Sequence, residues 1–195
     1  KMVADLAQRV SKAISIPFTI GGGIRTVEDV KNALQAGADK VSIESAAVLN
    51  PKLVSEAAAL CGSQAVVISV SPRRVKGGWE IFIKGGRENT GRDLVEFLQE
   101  MQERGAGEIL LNSVDEDGRG NGYDLEMLKA AREVLTIPLI ASSGAGELAD
   151  FYNGIAQGGA DAVLAASVFH YGKFSVQEVK QYLEGRGICV RKNIS

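Results

Sequence analysis

Short apolar runs alternate along the chain with stretches in which apolar residues recur every three or four positions. The runs at 17–20, 40–43, 65–70, 108–114, 138–141 and 162–166 are rich in Val, Ile, Leu or Ala without clear alternation. They predict strands buried on both faces of a parallel sheet. Between them, residues 26–36, 51–60, 92–104, 124–134 and 147–157 carry the helical period, and the opening KMVADLAQRV reads as a helix entered without a cap. A strand–helix–strand alternation of this kind means an α/β fold. One segment breaks the rhythm: VKGGWEIFIK, residues 75–84, reads as a two-stranded hairpin inserted after the third strand. No linker or low-complexity block divides residues 1–195, which predicts a single domain.

An internal repeat refines the class. Pro17 opens a strand, a glycine-rich turn follows, and GADKV begins the next strand, which ends in Ser45. Pro138 opens another strand, SSGAG follows, and GADAV begins the next, which ends in Ser167. The proline-to-aspartate spacing is 22 residues in the first copy (Pro17 to Asp39) and 23 in the second (Pro138 to Asp161), with a third variant, GAGEI, at Gly105. Repeated strand–helix units point to a (β/α) barrel. The plainer reading is that Gly-Ala merely stops a helix before a strand. In a barrel the turns after the strands line the active-site face, where glycine lets backbone N–H groups approach a phosphate. Two related turns then imply two anion sites flanking one mouth, and a substrate with a phosphate at each end. Tight turns alone also need glycine.

Composition narrows the partners. The chain is 45% hydrophobic and 24% charged, with a formal net charge of −2. That balance gives no electrostatic case for nucleic acid or an anionic membrane, and neither is expected as a partner. No apolar run approaches the roughly 18 residues of a membrane span. Cys61 and Cys189 have no metal-ligand spacing and read as reduced thiols of a cytoplasmic protein. The single histidine, His170, excludes a multi-histidine metal site and reads as a packing or surface residue. No metal and no cofactor are expected.

The motifs GGGI, GADKVSI, GSQAVV, NTG, RGAGEILL, DGRGNGYD and AASVFH occur in that order. Together they resemble the cyclase subunit of imidazole glycerol phosphate synthase (HisF), from residue 1 to about 192. The resemblance implies a (β/α)8 TIM barrel that receives ammonia from a glutaminase subunit. It also implies a lyase of histidine biosynthesis converting a bis-phosphorylated substrate, PRFAR, into imidazole glycerol phosphate and AICAR. Carried across by position, one phosphate site comprises Gly23, Glu44 and Ser45, and the other Gly118, Gly144, Ala166 and Ser167. Asp115 and Asp117 supply carboxylates at the mouth, and Lys40 and Glu108 match two members of the ammonia-entry ring on the opposite face.

The departures are as specific as the matches. The chain begins at what looks like the family's second helix, so the resemblance reads it as N-terminally truncated, with about six β/α units where the family has eight. One catalytic aspartate of the family belongs to the absent part, and the other falls on Ser71. A serine hydroxyl cannot replace a carboxylate in acid–base work near neutral pH. Glu44 stands where asparagine is usual, and Ser143 where glycine is usual. Three readings follow: a cyclase whose missing strands come from elsewhere; a truncated or engineered barrel fragment that self-assembles or pairs with a complementing fragment and retains phosphate binding; and a drifted paralogue for another phosphate ester.

Overall fold

The helices beginning at Val27, Leu94, Leu125 and Val176 start where the side chain of Thr26, Asp93, Asp124 or Ser175 caps them, and the parallel strands follow the apolar runs. The computed structural model describes residues 2–191. In chain order the elements are α1 (Met2–Ala13), β1 (Thr19–Gly21), α2 (Val27–Gln35), β2 (Lys40–Ile43), α3 (Ser45–Leu49), α4 (Lys52–Cys61) and β3 (Val66–Val75). There follow β4 (Gly78–Ile83), β5 (Glu88–Asp93), α5 (Leu94–Glu103), β6 (Glu108–Asn112), α6 (Leu125–Val134) and β7 (Leu139–Ser142). The last are α7 (Leu148–Ala156), β8 (Ala162–Val163), α8 (Ser167–His170) and α9 (Val176–Glu184). Thr26 caps α2 by accepting from the Asp29 backbone N–H, while the Asp29 carboxylate accepts from the Thr26 N–H at 2.9 Å. Ser175 and Glu178 make the same reciprocal box at α9, and at α7 the Asp150 carboxylate accepts from the Glu147 N–H at 2.8 Å. Each such cap satisfies donors that the first helical turn leaves open.

Six strands form one parallel sheet in the order β1-β2-β3-β6-β7-β8. It curls into a half-barrel surrounded by helices, a partial TIM barrel. Among the described residues β1 pairs only with β2, and β8 only with β7.

The proline–aspartate repeat has a mechanical meaning. Proline has no N–H to donate, so the strand it opens must be fixed by the next residue. In the first copy Phe18 N–H donates to the Asp39 carboxylate at 2.9 Å, and Asp39 N–H returns a bond to Phe18 O at 3.0 Å. In the second, Leu139 N–H donates to the Asp161 carboxylate at 2.8 Å, and Asp161 N–H returns a bond to Leu139 O at 2.8 Å. Each aspartate thus clamps its own strand start to the strand before it.

Several boundaries differ from the sequence reading. The run 17–20 becomes strand only from Thr19, because the N–H of Phe18 is engaged by Asp39 rather than by a ladder. The run 162–166 ends as strand at Val163, where pairing is possible on one side only, and Ala166 begins the turn into α8. The hairpin is larger than the pattern 75–84 predicts. The second half of β3 is itself its first strand, with Ser71 opposite Phe82 and Val75 opposite Gly78, and β5 adds a third strand where a helix from 92 was expected. ENTGRD in β5 carries no apolar signal, since its one partner is β4 and four of its six residues are exposed.

The strands also alternate, against expectation. Val66, Ile68 and Val70 of β3, Ile109 and Leu111 of β6, and Leu139 and Ala141 of β7 belong to the buried cluster shared with the helices. The intervening Ser69, Ser71, Leu110, Asn112, Ile140 and Ser142 lie on the concave side, because successive side chains of a strand point to opposite faces. The outer cluster includes Phe97 and Phe151, each 1% exposed, and Tyr123 meets Phe151 edge-on at 6.4 Å. Burying side chains of this size contributes about 1.5–3 kcal/mol each.

Candidate active site

The alternation that sends Val, Ile and Leu outward leaves hydroxyls, an amide and a carboxylate at the carboxyl ends of the strands. Glu44 directly follows β2, Ser69 and Ser71 lie in β3, Asn112 ends β6 and Ser142 ends β7. These residues, with Ser143 and Asp117, line one cavity of about 370 Å³. Gly85 and Gly86 roof it from the hairpin. Ser71 Oγ donates to Glu44 Oε1 at 3.0 Å, and Asn112 Nδ2 donates to Ser69 Oγ at 2.9 Å. Ser71, Ser113 and Ser142 are buried, whereas Asp117 is exposed, and no hydrogen bond or ion pair among the described residues engages its carboxylate.

The hairpin is held over this cavity by charge and aromatic contact. Arg73 lies over the Phe82 ring at 4.7 Å and Arg74 over Trp79 at 4.6 Å. Arg74 also reaches Asp124 at 3.2 Å and Glu126 at 2.8 Å, and Trp79 Nε1 donates to Asp124 at 3.1 Å. Asp124 is at the same time the N-cap of α6, so one carboxylate ties the hairpin to a helix start. Asp115 has a similar task. Its carboxylate accepts from the Arg74 backbone N–H at 2.7 Å and lies outside the central cavity, beside Arg119 and Tyr123. The two aspartates of DEDG therefore part: Asp117 faces the cavity and Asp115 fixes the hairpin.

A second, smaller cavity of about 150 Å³ adjoins the first. Gly118, Gly144, Ala166 and Ser167 line it together, and it shares Asp117, Ser142 and Ser143 with the central cavity. Glycine is required here by close packing of two loops. A Cβ on Gly144 would lie 2.1 Å from Gly122 O, and Gly122 N–H donates to Gly144 O at 2.8 Å. Ser143 sits in the left-handed region at φ 73° without glycine's freedom. Nearby, the Tyr123 hydroxyl donates to Leu164 O at 3.0 Å, and burial, aided by the Asp150 charge, pushes its phenol well above the ordinary value.

The three residues assigned to the other phosphate site do not share a cavity. Gly23 lines a groove against α2 with Ile24, Asn32 and Ala36; Glu44 faces the central cavity; Ser45 Oγ accepts from Lys84 N–H at 3.5 Å under the hairpin. Gly22 and Gly23 have φ of 85° and 79° with open space around them, so these two serve the turn, while a Cβ on Gly21 would lie 3.0 Å from the Ser42 Cβ. On the opposite face Lys40 Nζ contacts Glu108 Oε1, linking the starts of β2 and β6 across β3. Both occupy the same place in the repeat, after GAD and GAG. Cys61 and Cys189 are free thiols, and burial raises the Cys61 thiol above its ordinary value. His170 is exposed, its ring edge on Tyr171 at 5.1 Å. No group of His, Cys, Asp and Glu among the described residues could hold a metal ion.

The family model described as Histidine biosynthesis protein matches residues 1–175. The chain belongs to the histidine biosynthesis protein family. In this family member the half-barrel, the cavity at the carboxyl ends of its strands and the adjoining glycine-lined cavity all lie within the matched residues. Sequence reading had named Ser71, Glu44 and Asp117 separately. It missed Ser69, Asn112 and Ser142, although the alternation in VVISVS and ILLNS marks them.

Proposed function

We propose that the chain is of the cyclase lineage and catalyses the ammonia-dependent conversion of PRFAR into imidazole glycerol phosphate and AICAR. One observation carries this reading. The polar central cavity with Asp117 and Glu44 shares Asp117, Ser142 and Ser143 with the adjoining glycine-lined cavity of Gly118, Gly144, Ala166 and Ser167. A substrate phosphate held in the smaller cavity by backbone N–H groups would leave the reacting atoms beside the two carboxylates. The second phosphate would lie toward Ser45 and Gly23, where Glu44 opposes an anion. Ammonia would enter from a glutaminase subunit through the Lys40–Glu108 face. The reaction needs no cofactor in this scheme, and its pathway is cytoplasmic. No helix among the described residues is long and apolar enough to cross a membrane. Restoring growth of a histidine auxotroph lacking the cyclase tests the proposal. Growth supports it, and failure by well-expressed, folded protein counts against it.

The outer edges of β1 and β8, unpaired among the described residues, favour a second reading, a non-catalytic barrel fragment that self-assembles or is completed by another fragment while binding phosphate. An open strand edge presents unpaired N–H and C=O groups to any strand that meets it.

A further inference from the structure

We infer that Glu44 is the proton-handling carboxylate of the central cavity and that Ser71 is its positioning residue; this rests on the cyclase reading above. The family's aspartate position is occupied by Ser71, which alone would leave the cavity short of a carboxyl group. The contact between the two strand ends changes that conclusion. Glu44 comes from the residue after β2, Ser71 from β3, and the hydroxyl donates to the carboxylate at 3.0 Å. Both line the same cavity, so the acid absent from one strand is present on its neighbour.

Burial of Ser71, 9% exposed, limits where its hydroxyl can turn, so the bond fixes one Glu44 oxygen and leaves the other for a substrate proton. Asp117 reaches the cavity from the loop after β6, two strands from β2 in the sheet. Glu44 and Asp117 are the only carboxylates among the lining residues described. Two carboxyl groups approaching one space from different elements are what an acid and a base acting on one substrate require.

The proton balance fits this placement. Ammonia adds through its lone pair to a carbonyl carbon of PRFAR, and the nitrogen passes two protons to the carbonyl oxygen, which leaves as water. The same nitrogen then bonds to the formimino carbon, whose bond to the AICAR nitrogen breaks; the remaining proton on the ring nitrogen and one from the neighbouring methylene go to that departing amine. Overall, PRFAR and ammonia yield imidazole glycerol phosphate, AICAR and water. Glu44 takes a proton from the nitrogen, and Asp117 is the second carboxyl group able to give one to the departing oxygen. Ser71 forms no bond to substrate in this scheme. Glu44 also occupies the position at which it opposes a bound anion, so the same side chain weakens the outer phosphate contact and supplies the base.

The test is steady-state turnover of PRFAR with ammonium by the full chain and four variants, each checked for folding by circular dichroism. Glu44→Gln keeps the shape and the hydrogen bond to Ser71 but cannot take a proton; kcat is expected to fall about 10²–10⁴-fold with KM little changed. Ser71→Ala should lower kcat by about tenfold, the equivalent of one ordinary hydrogen bond, and Ser71→Thr should restore most of it. The fourth variant, Glu44→Asn/Ser71→Asp, returns the carboxylate to β3 and should recover activity lost in Glu44→Gln. Wild-type turnover with Glu44→Gln within about threefold of it overturns this inference and leaves the cyclase reading standing. Turnover by the double variant alone does the same. No turnover by any of the folded proteins overturns the cyclase reading, and this inference with it.

Discussion

Removing the carboxylate of Asp161 should destabilise the protein far more than removing its repeat counterpart Asp39. In both copies the aspartate accepts the N–H that follows the strand-opening proline. The surroundings differ. Leu139 is fully buried and its bond to Asp161 is part-buried, so its N–H is less open to replacement water than that of Phe18 when the aspartate is truncated. A hydrogen bond to a charged group contributes about 1.5–3 kcal/mol, and an orphaned buried donor costs about 1–3 kcal/mol. Asp161 also pairs with Arg132 at 2.8 Å, but its side chain is 54% exposed and an exposed pair adds only about 0–1 kcal/mol. Asp161→Ala is therefore expected to cost about 3 kcal/mol. For a chain of this size that lowers the melting temperature by about 6–12 °C. At Asp39 the bond to Phe18 is exposed, water can replace the lost acceptor, and the expected cost is about 1 kcal/mol. Urea unfolding of wild type and both variants, with equal m-values, measures the difference. Equal losses at the two positions would refute the reasoning, and a larger loss at Asp39 would invert it.

Four further outcomes are expected. Ser143→Gly should stabilise the protein by about 0.5–1 kcal/mol, since a left-handed non-glycine residue costs about 1–2 kcal/mol and glycine returns part of that as chain entropy; thermal unfolding measures it. Burial raises the Glu100 carboxyl, but hydrogen bonds from Arg104 and Arg92 outweigh it and hold the group below its ordinary value. Its stabilisation is thus fully present above the unfolded value, about 4.3, and is lost as pH falls through the lowered folded value. Glu100→Gln should weaken the protein at neutral pH and flatten its acid unfolding curve, and an unchanged curve would refute the assignment. The Lys40–Glu108 pair is partly buried rather than a plain surface pair, so Lys40→Ala should cost about 1.5–3 kcal/mol while reducing glutaminase-coupled, but not ammonium-driven, turnover. In light scattering the chain should exceed its monomer mass of 20.6 kDa, because among the described residues β1 and β8 leave open edges; a folded monomer would contradict this.

What the sequence disclosed follows the range of each interaction. The parallel strands and most helices were legible because apolar runs and helical periods are local, and the GAD repeat exposed the strand starts. Two capping boxes, in TVED and SVQE, were equally legible and went unread. β5 was not legible, since ENTGRD pairs with a single strand and buries almost nothing. Pro72 and the two arginines after it look like a strand end. Yet β3 continues through them, because an antiparallel partner and stacking on Phe82 and Trp79 replace the buried ladder. The candidate site was legible only as separate residues. Glu44 and Ser71 meet because β2 and β3 run parallel with Ile43 opposite Ile68, a register that no local pattern encodes. Lys40 and Glu108 meet only because β3 lies between their strands. The separation of Asp115 from Asp117 depends on the backbone of Arg74, 41 residues before Asp115.

The central claim is that the joined cavities form a cyclase site, and the most direct measurement is mass-spectrometric detection of product from PRFAR and ammonium with the purified full chain. The account predicts imidazole glycerol phosphate and AICAR in equal amounts, at a rate abolished by Asp117→Asn. Consumption of PRFAR without these two products, or no consumption by folded protein, would contradict it.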